Sequence, residues 1–486
     1  MAHPPPRPAP GPPDPRRGIP PVDVVLAHPA VADDVARLGR ARALPLAQEV
    51  LRQARGGHLS PTQVVDDLAA RLRARTVPGC TRPVLNATGV VVHTNLGRAP
   101  LGEAATAALL DAAGYADVEL DLATGRRGPR GAAVQDALLQ AVPEAGAALV
   151  VNNGAAALLL AMTALAAGRE VVVSRGELVE IGDGFRLTEL VESSGARLHE
   201  VGTTNRTHRA DYERALAGRA APGSAGASPA PAPADGPDVA ALLKVHPGNY
   251  RVTGFTSDVP VAELAEVSRG AGLPLVVDTG SGLLAPDQAL PDEPDARSAL
   301  RDGADLVVAS ADKLLGGPQA GLVLGDADLV ERLRRHPVAR ALRVDKLTLA
   351  ALGATLRDPG SVPVTVARRA PAAGLRARAD ALEGVLARHG LAATVVPHDG
   401  RVGGGGAPGV PLSGWAVALP EDLAGPLRLG DPAVLARVHD GRCLLDPRCV
   451  PPAQDGLLLA AVLAAAARVG LGGEGGSPAA GGRPAG

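Results

Sequence analysis

Short apolar runs that alternate with longer helical stretches constrain the fold of this 486-residue chain more than any other feature. Five such runs occupy the middle of the sequence, at residues 148–151, 170–173, 274–277, 305–309 and 321–324. Strands that alternate with helices are typical of a mostly parallel sheet covered by helices on both faces. The pattern therefore predicts an α/β fold, with any functional site beyond the carboxyl ends of the strands.

The segments around this region predict the domain organisation. A helical N-terminal domain is expected because Ser60, Pro61 and Gln63 form a helix start, and Val64 and every fourth residue after it are apolar. The full prediction is a disordered Pro-rich tail at 1–20, a helical domain at 21–80, a large domain at 81–345 with a flexible insertion at 217–238, a small C-terminal domain at 346–469 and a disordered Gly-rich tail at 470–486.

Charge and composition restrict the functional classes. The net charge is −2, which lacks the global basic footprint of a nucleic-acid binder, and residues 21–80 hold eight arginines against six acids. That small excess is compatible with an RNA-binding face and equally with a solvated helical surface. The three cysteines lack metal-site spacing and no apolar run is long enough to span a bilayer, so we expect a cytoplasmic protein without a metal or membrane partner.

Polar or small residues follow the predicted strands. Asn153, Gly154 and Ala155 open a helix whose free N–H groups could cradle an anion, although these residues alone are more typical of an ordinary strand-to-helix turn. Asp278 ends another strand, where its carboxylate could either cap a helix or hold the protonated ring nitrogen of pyridoxal phosphate (PLP).

The strongest candidate for chemistry is Lys313. It follows Ser310 and a strand and precedes a Gly-rich stretch, the usual setting of a lysine that binds PLP covalently, with Ser310 donating to the phosphate. An arginine cannot supply a neutral amine, and this chain has only two other lysines, Lys244 and Lys346, which lack that setting. The glycine run at 403–406 lacks the Lys-Ser/Thr of a phosphate loop and is interpreted as a flexible turn.

Five longer motifs resemble those of the bacterial selenocysteine synthase family and occur in the same order. They are NATGVVVHTNLGRAPL at 86–101, SRGELVEIG at 174–182, EVGTTNRT at 200–207, DKLLGGPQAG at 312–321 and RALRVDK at 340–346. The similarity extends over residues 21–465. Motifs of this length are far more specific than an isolated lysine pattern.

The resemblance implies PLP-dependent transferase fold type I, the aspartate-aminotransferase-like fold. It implies conversion of L-seryl-tRNA(Sec) to L-selenocysteinyl-tRNA(Sec) with selenophosphate, by PLP-dependent β-elimination of the seryl hydroxyl and selenium addition to a dehydroalanyl-tRNA. It also implies that Lys313 holds PLP and removes the α-proton, that Asp312 assists it, and that Asp278 holds the ring nitrogen.

By the same resemblance, Arg98, Arg340 and Arg343 surround the selenium-donor anion. The guanidinium fork suits a phosphate-like group, and Arg340 and Arg343 would share one face if they were helical. The resemblance further implies a homo-oligomer, a decamer whose active sites use two subunits, and an N-terminal domain that contacts the tRNA.

Two other functions stay open at this point. The first is a PLP-dependent lyase or transferase that acts on a free small amino acid, and the second is a PLP-free RNA-binding scaffold. The three arginines and the N-terminal domain favour the tRNA enzyme over the first, and Lys313 argues against the second. Gly154, Pro247 and Gly248 depart from the family pattern and put the phosphate cradle and the loop at 246–250 in question.

Overall fold

A computed structural model describes residues 18–38, 40–57, 59–74, 81–182, 184–217 and 238–471. The chain divides into two compact units, Met1–Pro83 and Val84–Gly486. The tails and the insertion expected at 1–20, 217–238 and 470–486 lie almost wholly outside the described residues.

The N-terminal unit is helical in its described part. Its helices are α1 (Val22–Leu26), α2 (Pro29–Leu38), α3 (Arg40–Arg55) and α4 (Val64–Ala74). The Gln63 side chain accepts a hydrogen bond from the Ser60 N–H at 3.3 Å, in a short 3-10 turn that leads into α4. Val64, Leu68 and Leu72 are buried, which confirms the predicted apolar face of this helix.

The second unit contains the strands and the remaining helices of the described chain. Its strands are β1 (Val84–Ala87), β2 (Val90–Val92), β3 (Ala147–Val151), β4 (Glu170–Ser174), β5 (Glu180–Gly182), β6 (Phe185–Arg186), β7 (Arg197–Val201), β8 (Val239–Val245), β9 (Leu275–Asp278), β10 (Leu306–Ser310), β11 (Gly321–Gly325), β12 (Thr394–Pro397), β13 (Gly400–Gly403), β14 (Pro411–Leu412), β15 (Trp415–Pro420), β16 (Ala433–His439) and β17 (Arg442–Leu445). Its helices are α5 (Glu103–Ala112), α6 (Ala132–Ala141), α7 (Gly154–Ala166), α8 (Leu187–Ser193), α9 (Arg209–Leu216), α10 (Val261–Ala271), α11 (Ala296–Arg301), α12 (Ala327–Arg335), α13 (Pro337–Ala341), α14 (Lys346–Arg357), α15 (Pro363–Arg368), α16 (Ala372–Arg388), α17 (Ala424–Arg428) and α18 (Asp455–Arg468).

Seven strands form the central sheet, in the order β3-β11-β10-β9-β8-β4-β7. Only β11 runs antiparallel to its neighbours, so the prediction of a mainly parallel α/β fold is confirmed. The five predicted apolar runs correspond to β3, β4, β9, β10 and β11. Strands β7 and β8 were not predicted.

Helices cover both faces of this sheet because its strands are apolar on both sides. Along β10, Val307 and Ala309 face one core with α6, α10 and α14, while Leu306 and Val308 face the other with α7, α8 and α12. Both cores consist mainly of Ala, Val and Leu, as expected for a chain with 1% aromatic residues. This packing fixes the strand ends at which the candidate site lies.

Residues 84–92 join the C-terminal strands. Strand β1 pairs in parallel with β16, in the five-stranded sheet β1-β16-β17-β15-β12. Strand β2 pairs in parallel with β13 in a three-stranded sheet, whereas α14, which begins at Lys346, packs against α5 and α6. Segments that were expected in the large and the small domain therefore pair with each other. The sequence did not predict this, because pairing across such a distance leaves no local signal.

Candidate active site

Four strands of the central sheet deliver polar residues to one edge. Asn153 follows β3, His246 follows β8, Asp278 ends β9 and Ser310 ends β10, and these four strands run in the same direction. His246, Asp278, Ser310 and Lys313 line one cleft, which the hairpin β5–β6 borders with apolar side chains. The structure thus places the cleft where a parallel sheet is expected to hold its site.

Lys313 lies in the turn after β10 and is largely buried. Burial lowers the pKa of its amine and the Arg98 cation lowers it further, whereas Asp278, Asp312 and Glu293 act in the opposite direction. A lysine with a lowered pKa presents more neutral amine at physiological pH, which both covalent attachment and proton abstraction require.

Asp278 is a partly buried carboxyl beside this amine. Burial raises its pKa to about 6, although Lys313, the backbone of Gly280 and His246 each favour the ionised form. Gly280 lies between the two groups, since a Cβ atom there would stand 3.8 Å from Asp278 Oδ1 and 3.9 Å from Lys313 Nζ. A further cation next to Asp278 would return its pKa toward the ordinary value.

The start of α7 lies against the end of β10. The Asn153 side chain caps the helix by accepting a hydrogen bond from the Ala156 N–H at 2.7 Å. The first N–H groups of a helix, here those of Gly154 and Ala155, have no partner within the helix. A Cβ atom at Gly154 would stand 2.4 Å from Ser310 Oγ, so the glycine lets this hydroxyl approach the helix start.

Arg98 pairs with the carboxylate next to Lys313. Its Nη1 atom lies 3.0 Å from Asp312 Oδ2, and the Asp312 side chain is 8% exposed against 41% for Arg98. Arg98 also has a left-handed backbone, with φ of 66°. The following Ala99 N–H donates to the Asp312 carbonyl at 3.2 Å, so two contacts join this segment to the lysine turn.

Arg340 and Arg343 are exposed and lie outside the described lining of the Lys313 cleft. Helix α13 ends at Ala341, so the two arginines do not share a helix face. The backbone of Arg343 instead pairs with that of Val151, at the end of β3, in an isolated antiparallel β-bridge. Its guanidinium lies 4.0 Å from the Glu119 carboxylate. The structure brings Arg343 to the edge of the sheet at which the cleft lies. Neither the Arg340 nor the Arg343 side chain lines the cleft of its own chain.

The glycine run at 403–406 contacts the site, which the interpretation as a flexible turn does not anticipate. Gly403, the last residue of β13, pairs with Val92 of β2. A Cβ atom at Gly405 would stand 2.5 Å from Lys313 Cδ and 2.8 Å from its Nζ. Only glycine allows the backbone to approach the lysine so closely. Four consecutive glycines were the available signal, but the sequence does not reveal what lies opposite them.

The other two lysines are engaged elsewhere. Lys244 Nζ lies 2.9 Å from Glu177 and 3.5 Å from Asp258, and the Lys346 amine donates to the backbone carbonyl of Gly114. Sequence reasoning pointed to the loop that contains His246, but not to this side chain, and it missed Glu293. The two groups act electrostatically on Asp278 and Lys313 respectively.

Comparison with known proteins decides the family. The model of the L-seryl-tRNA selenium transferase family matches residues 84–222 and 232–451, and the N-terminal model of selenocysteine synthase matches residues 16–55. The chain belongs to this family. The unmatched residues 223–231 fall within the expected insertion.

Relatives of similar length support the assignment to the selenium transferase family. The L-seryl-tRNA(Sec) selenium transferase of Moorella thermoacetica is 43% identical, over 94% of this chain and 98% of the relative. That of Solidesulfovibrio magneticus is 45% identical, over 93% and 98%. The solved structure of D-glucosaminate-6-phosphate ammonia-lyase covers 80% of this chain and 97% of its own, with a TM-score of 0.55 and 22% identity, so it shares the fold, and the predicted fold type I is confirmed.

The residues of this selenium-transferase cleft fit PLP. The helix start beside Ser310 suits a phosphate, the Asp278 carboxyl in the cleft suits a cationic ring nitrogen, and Lys313 offers an amine of lowered pKa. Ser281 Oγ and His246 Nε2 are buried without a hydrogen-bond partner in the same region, as polar atoms near a ligand site often are. Within the described ranges, no helix has both the length and the apolarity to cross a membrane.

Proposed function

We propose that this chain converts L-seryl-tRNA(Sec) to L-selenocysteinyl-tRNA(Sec), with PLP held on Lys313 and selenophosphate as the selenium donor. The observation that carries the proposal is the Lys313 amine, with its lowered pKa, beside the Asp278 carboxyl in one cleft at the strand ends. Family membership and relatives more than 40% identical over nearly their whole length support the same reaction.

The cofactor would be held at three points. The N–H groups of Gly154 and Ala155, together with the Ser310 hydroxyl, would bind its phosphate, and Asn153 would fix the start of that helix. Asp278 would bind the ring nitrogen. When bound, PLP supplies an electron sink that stabilises negative charge at the α-carbon of the seryl group.

Proton transfer is assigned to Lys313. Its neutral amine takes the α-proton, because burial and the Arg98 cation both favour the neutral form. Asp312 would assist by favouring the protonated amine that results, and Arg98 holds this carboxylate at 3.0 Å. Loss of the β-hydroxyl as water would leave a dehydroalanyl-tRNA. Selenium from selenophosphate would then add at Cβ, a proton would return to the α-carbon, and hydrolysis of the Se–P bond would release phosphate.

The arginines would bind the selenium donor. Arg98 reaches the lysine turn within its own chain, whereas Arg340 and Arg343 are exposed and outside the described cleft lining. We therefore place Arg340 and Arg343 at the site of a second copy, in a homo-oligomer that we propose to be a decamer. The N-terminal helical unit would bind the tRNA, and its affinity should then fall steeply with salt.

A conversion assay tests the function. Purified protein with PLP, seryl-tRNA(Sec) and selenophosphate should form selenocysteinyl-tRNA(Sec), and Lys313→Arg should abolish the product because arginine cannot supply a neutral amine. Lys346→Arg is the matched control and should retain activity, since Lys346 contacts only backbone carbonyls in the described structure.

The outcomes separate the three functions considered. Product with the wild type and with Lys346→Arg alone would support the proposal. A PLP absorbance band that Lys313→Arg removes, without any tRNA product, would instead direct the search to free small amino acids. No PLP binding at all would favour the cofactor-free scaffold.

A further inference from the structure

Glu293 is a buried carboxylate that no step proposed above uses. Its side chain is 2% exposed, and Oε2 accepts a hydrogen bond from the Ala407 backbone N–H at 2.6 Å. The same oxygen lies 3.5 Å from His246 Nε2, while Oε1 is buried without a hydrogen-bond partner. Burial of a carboxylate with so few partners costs folding free energy, and such groups often have a role in function.

The first contact anchors the glycine loop. Ala407 directly follows the run at 403–406 and has a left-handed backbone, with φ of 45°, which is unfavourable for alanine. The bond to Glu293 stabilises this conformation at the position two residues after Gly405, whose backbone lies against Lys313. Gly406 lies close to Leu314 and Ser281, so the loop covers the lysine turn over several residues.

The second contact of Glu293 is with His246. His246 lines the cleft, and its backbone N–H donates to the Asp278 carbonyl at 2.9 Å. A Cβ atom at Gly248 would stand 3.0 Å from the Gly405 carbonyl oxygen, so the loop that follows His246 also meets the glycine loop. Glu293 thus contacts both segments that flank Lys313 and Asp278.

We propose that Glu293 is a positioning residue, which anchors the glycine loop 403–407 against Lys313 and holds His246 beside Asp278. It acts through these neighbours and through its charge. The charged groups that act on the lysine amine are Asp278, Arg98, Asp312 and Glu293. The inference rests on the proposed function only in taking Lys313 as the reacting amine.

The test uses the full chain without cofactor or tRNA, so it does not depend on the proposed reaction. Glu293→Leu removes both the charge and the acceptor, and Glu293→Gln keeps an acceptor for the Ala407 N–H. Asp287→Asn is the matched control, because Asp287 is a buried carboxylate six residues away whose described polar contacts are Arg368, Arg369 and Ala289. Hydrogen exchange over residues 403–407 and pH-dependent acylation of the lysines are measured by mass spectrometry.

Glu293→Leu should accelerate exchange over 403–407 at least about tenfold, the effect of losing a hydrogen bond to a charged group, and Glu293→Gln should restore most of the protection. In Glu293→Gln, acylation of Lys313 should begin at lower pH, since the removed carboxylate favours the charged amine. Lys244 and Lys346 are internal controls and should not change.

The competing explanation is that Glu293 merely fills space. It would be correct if both Glu293 variants left the exchange of 403–407 and the acylation of Lys313 as in Asp287→Asn, whatever the loss of thermal stability. If the wild type did not convert seryl-tRNA(Sec), the proposed function would be overturned. The results of hydrogen exchange and acylation would still decide the role of Glu293. Failure of Glu293→Leu to fold would still leave Glu293→Gln to decide.

Discussion

Lys244 and Lys313 occupy neighbouring parts of the same sheet but have opposite surroundings. Lys244 lies within β8 and pairs with the buried Glu177 carboxylate at 2.9 Å, and Glu177 also accepts the Val245 N–H. Lys313 follows β10 and faces the backbone of Gly405, while burial lowers the pKa of its amine.

The difference separates a lysine held by an ion pair from the one that we propose to react. The Glu177 carboxylate contacts the Lys244 amine directly and fixes it, whereas the Lys313 amine faces the backbone of Gly405. Both lysines are largely buried, so burial alone does not distinguish them.

The largest expected stability effect comes from removing the paired lysine. Lys244→Met should destabilise the apoprotein by about 3 kcal/mol, because it leaves the Glu177 charge buried without a partner. Lys313→Met should cause no comparable loss, since its burial disfavours the charge that methionine lacks. Urea denaturation of both variants measures the contrast.

A double variant checks the cause of that loss. Lys244→Met with Glu177→Gln should recover most of the stability, because the glutamine is uncharged and still accepts the Val245 N–H. Equal stability losses in Lys244→Met and Lys313→Met would remove the distinction between the two lysines.

The glycine that faces Lys313 offers the next test. Gly405→Ala should reduce tRNA conversion about 100-fold, because its methyl group would collide with the lysine side chain and displace the amine. Gly409→Ala is the matched control, since Gly409 also has positive φ but has no atom within 4 Å of an added Cβ. Similar activities of the two variants would show that only backbone strain matters.

Asp278 should give the protein a characteristic pH dependence. Its folded-state pKa of about 6 exceeds the ordinary aspartate pKa of 3.8, so its contribution to stability is present below pH 3.8 and is lost as the pH rises through 6. Asp278→Asn should abolish this loss, on the order of 2 kcal/mol between pH 4 and pH 7. Unfolding of apoprotein at both values measures it; identical pH profiles for wild type and variant would contradict the assignment.

The smallest effect should follow removal of the half-exposed pair. Arg98→Ala should cost less than about 1 kcal/mol of stability, because the Arg98 side chain is 41% exposed and its removal lets water reach the Asp312 carboxylate, whereas Lys244 is only 16% exposed. It should nevertheless move the acylation of Lys313 to higher pH, since the Arg98 cation favours the neutral amine. A stability loss as large as that of Lys244→Met would mean that exposure does not separate these pairs.

The sequence predicts the parts of this site that depend on local order. Lys313 and Asp278 could be singled out because each follows a recognisable strand, and strands of one sheet deliver their ends to one edge. The rarity of lysine in an arginine-rich chain strengthened the choice, and the family motifs supplied the reaction.

Long-range contacts could not be predicted in the same way. Glu177 meets Lys244 across 67 positions and Glu293 meets Ala407 across 114, and neither pair has a local signature. The glycine run at 403–406 has no apolar periodicity from which its position could be predicted. Its role becomes visible only when Lys313 is seen opposite Gly405. Strand β7 carries Arg, His and Glu among its five residues, which conceals it from an apolar pattern.

The pairing of β1 with β16 has a consequence for synthesis. Val84 pairs with Ala433, so a ribosome must add about 350 residues before the first strand of this unit finds its neighbour. At typical elongation rates that takes roughly 20–70 s, during which β1 has an unsatisfied edge. A nascent chain arrested before residue 433 should therefore leave residues 84–87 open to proteases and chaperones, even after the central sheet has formed.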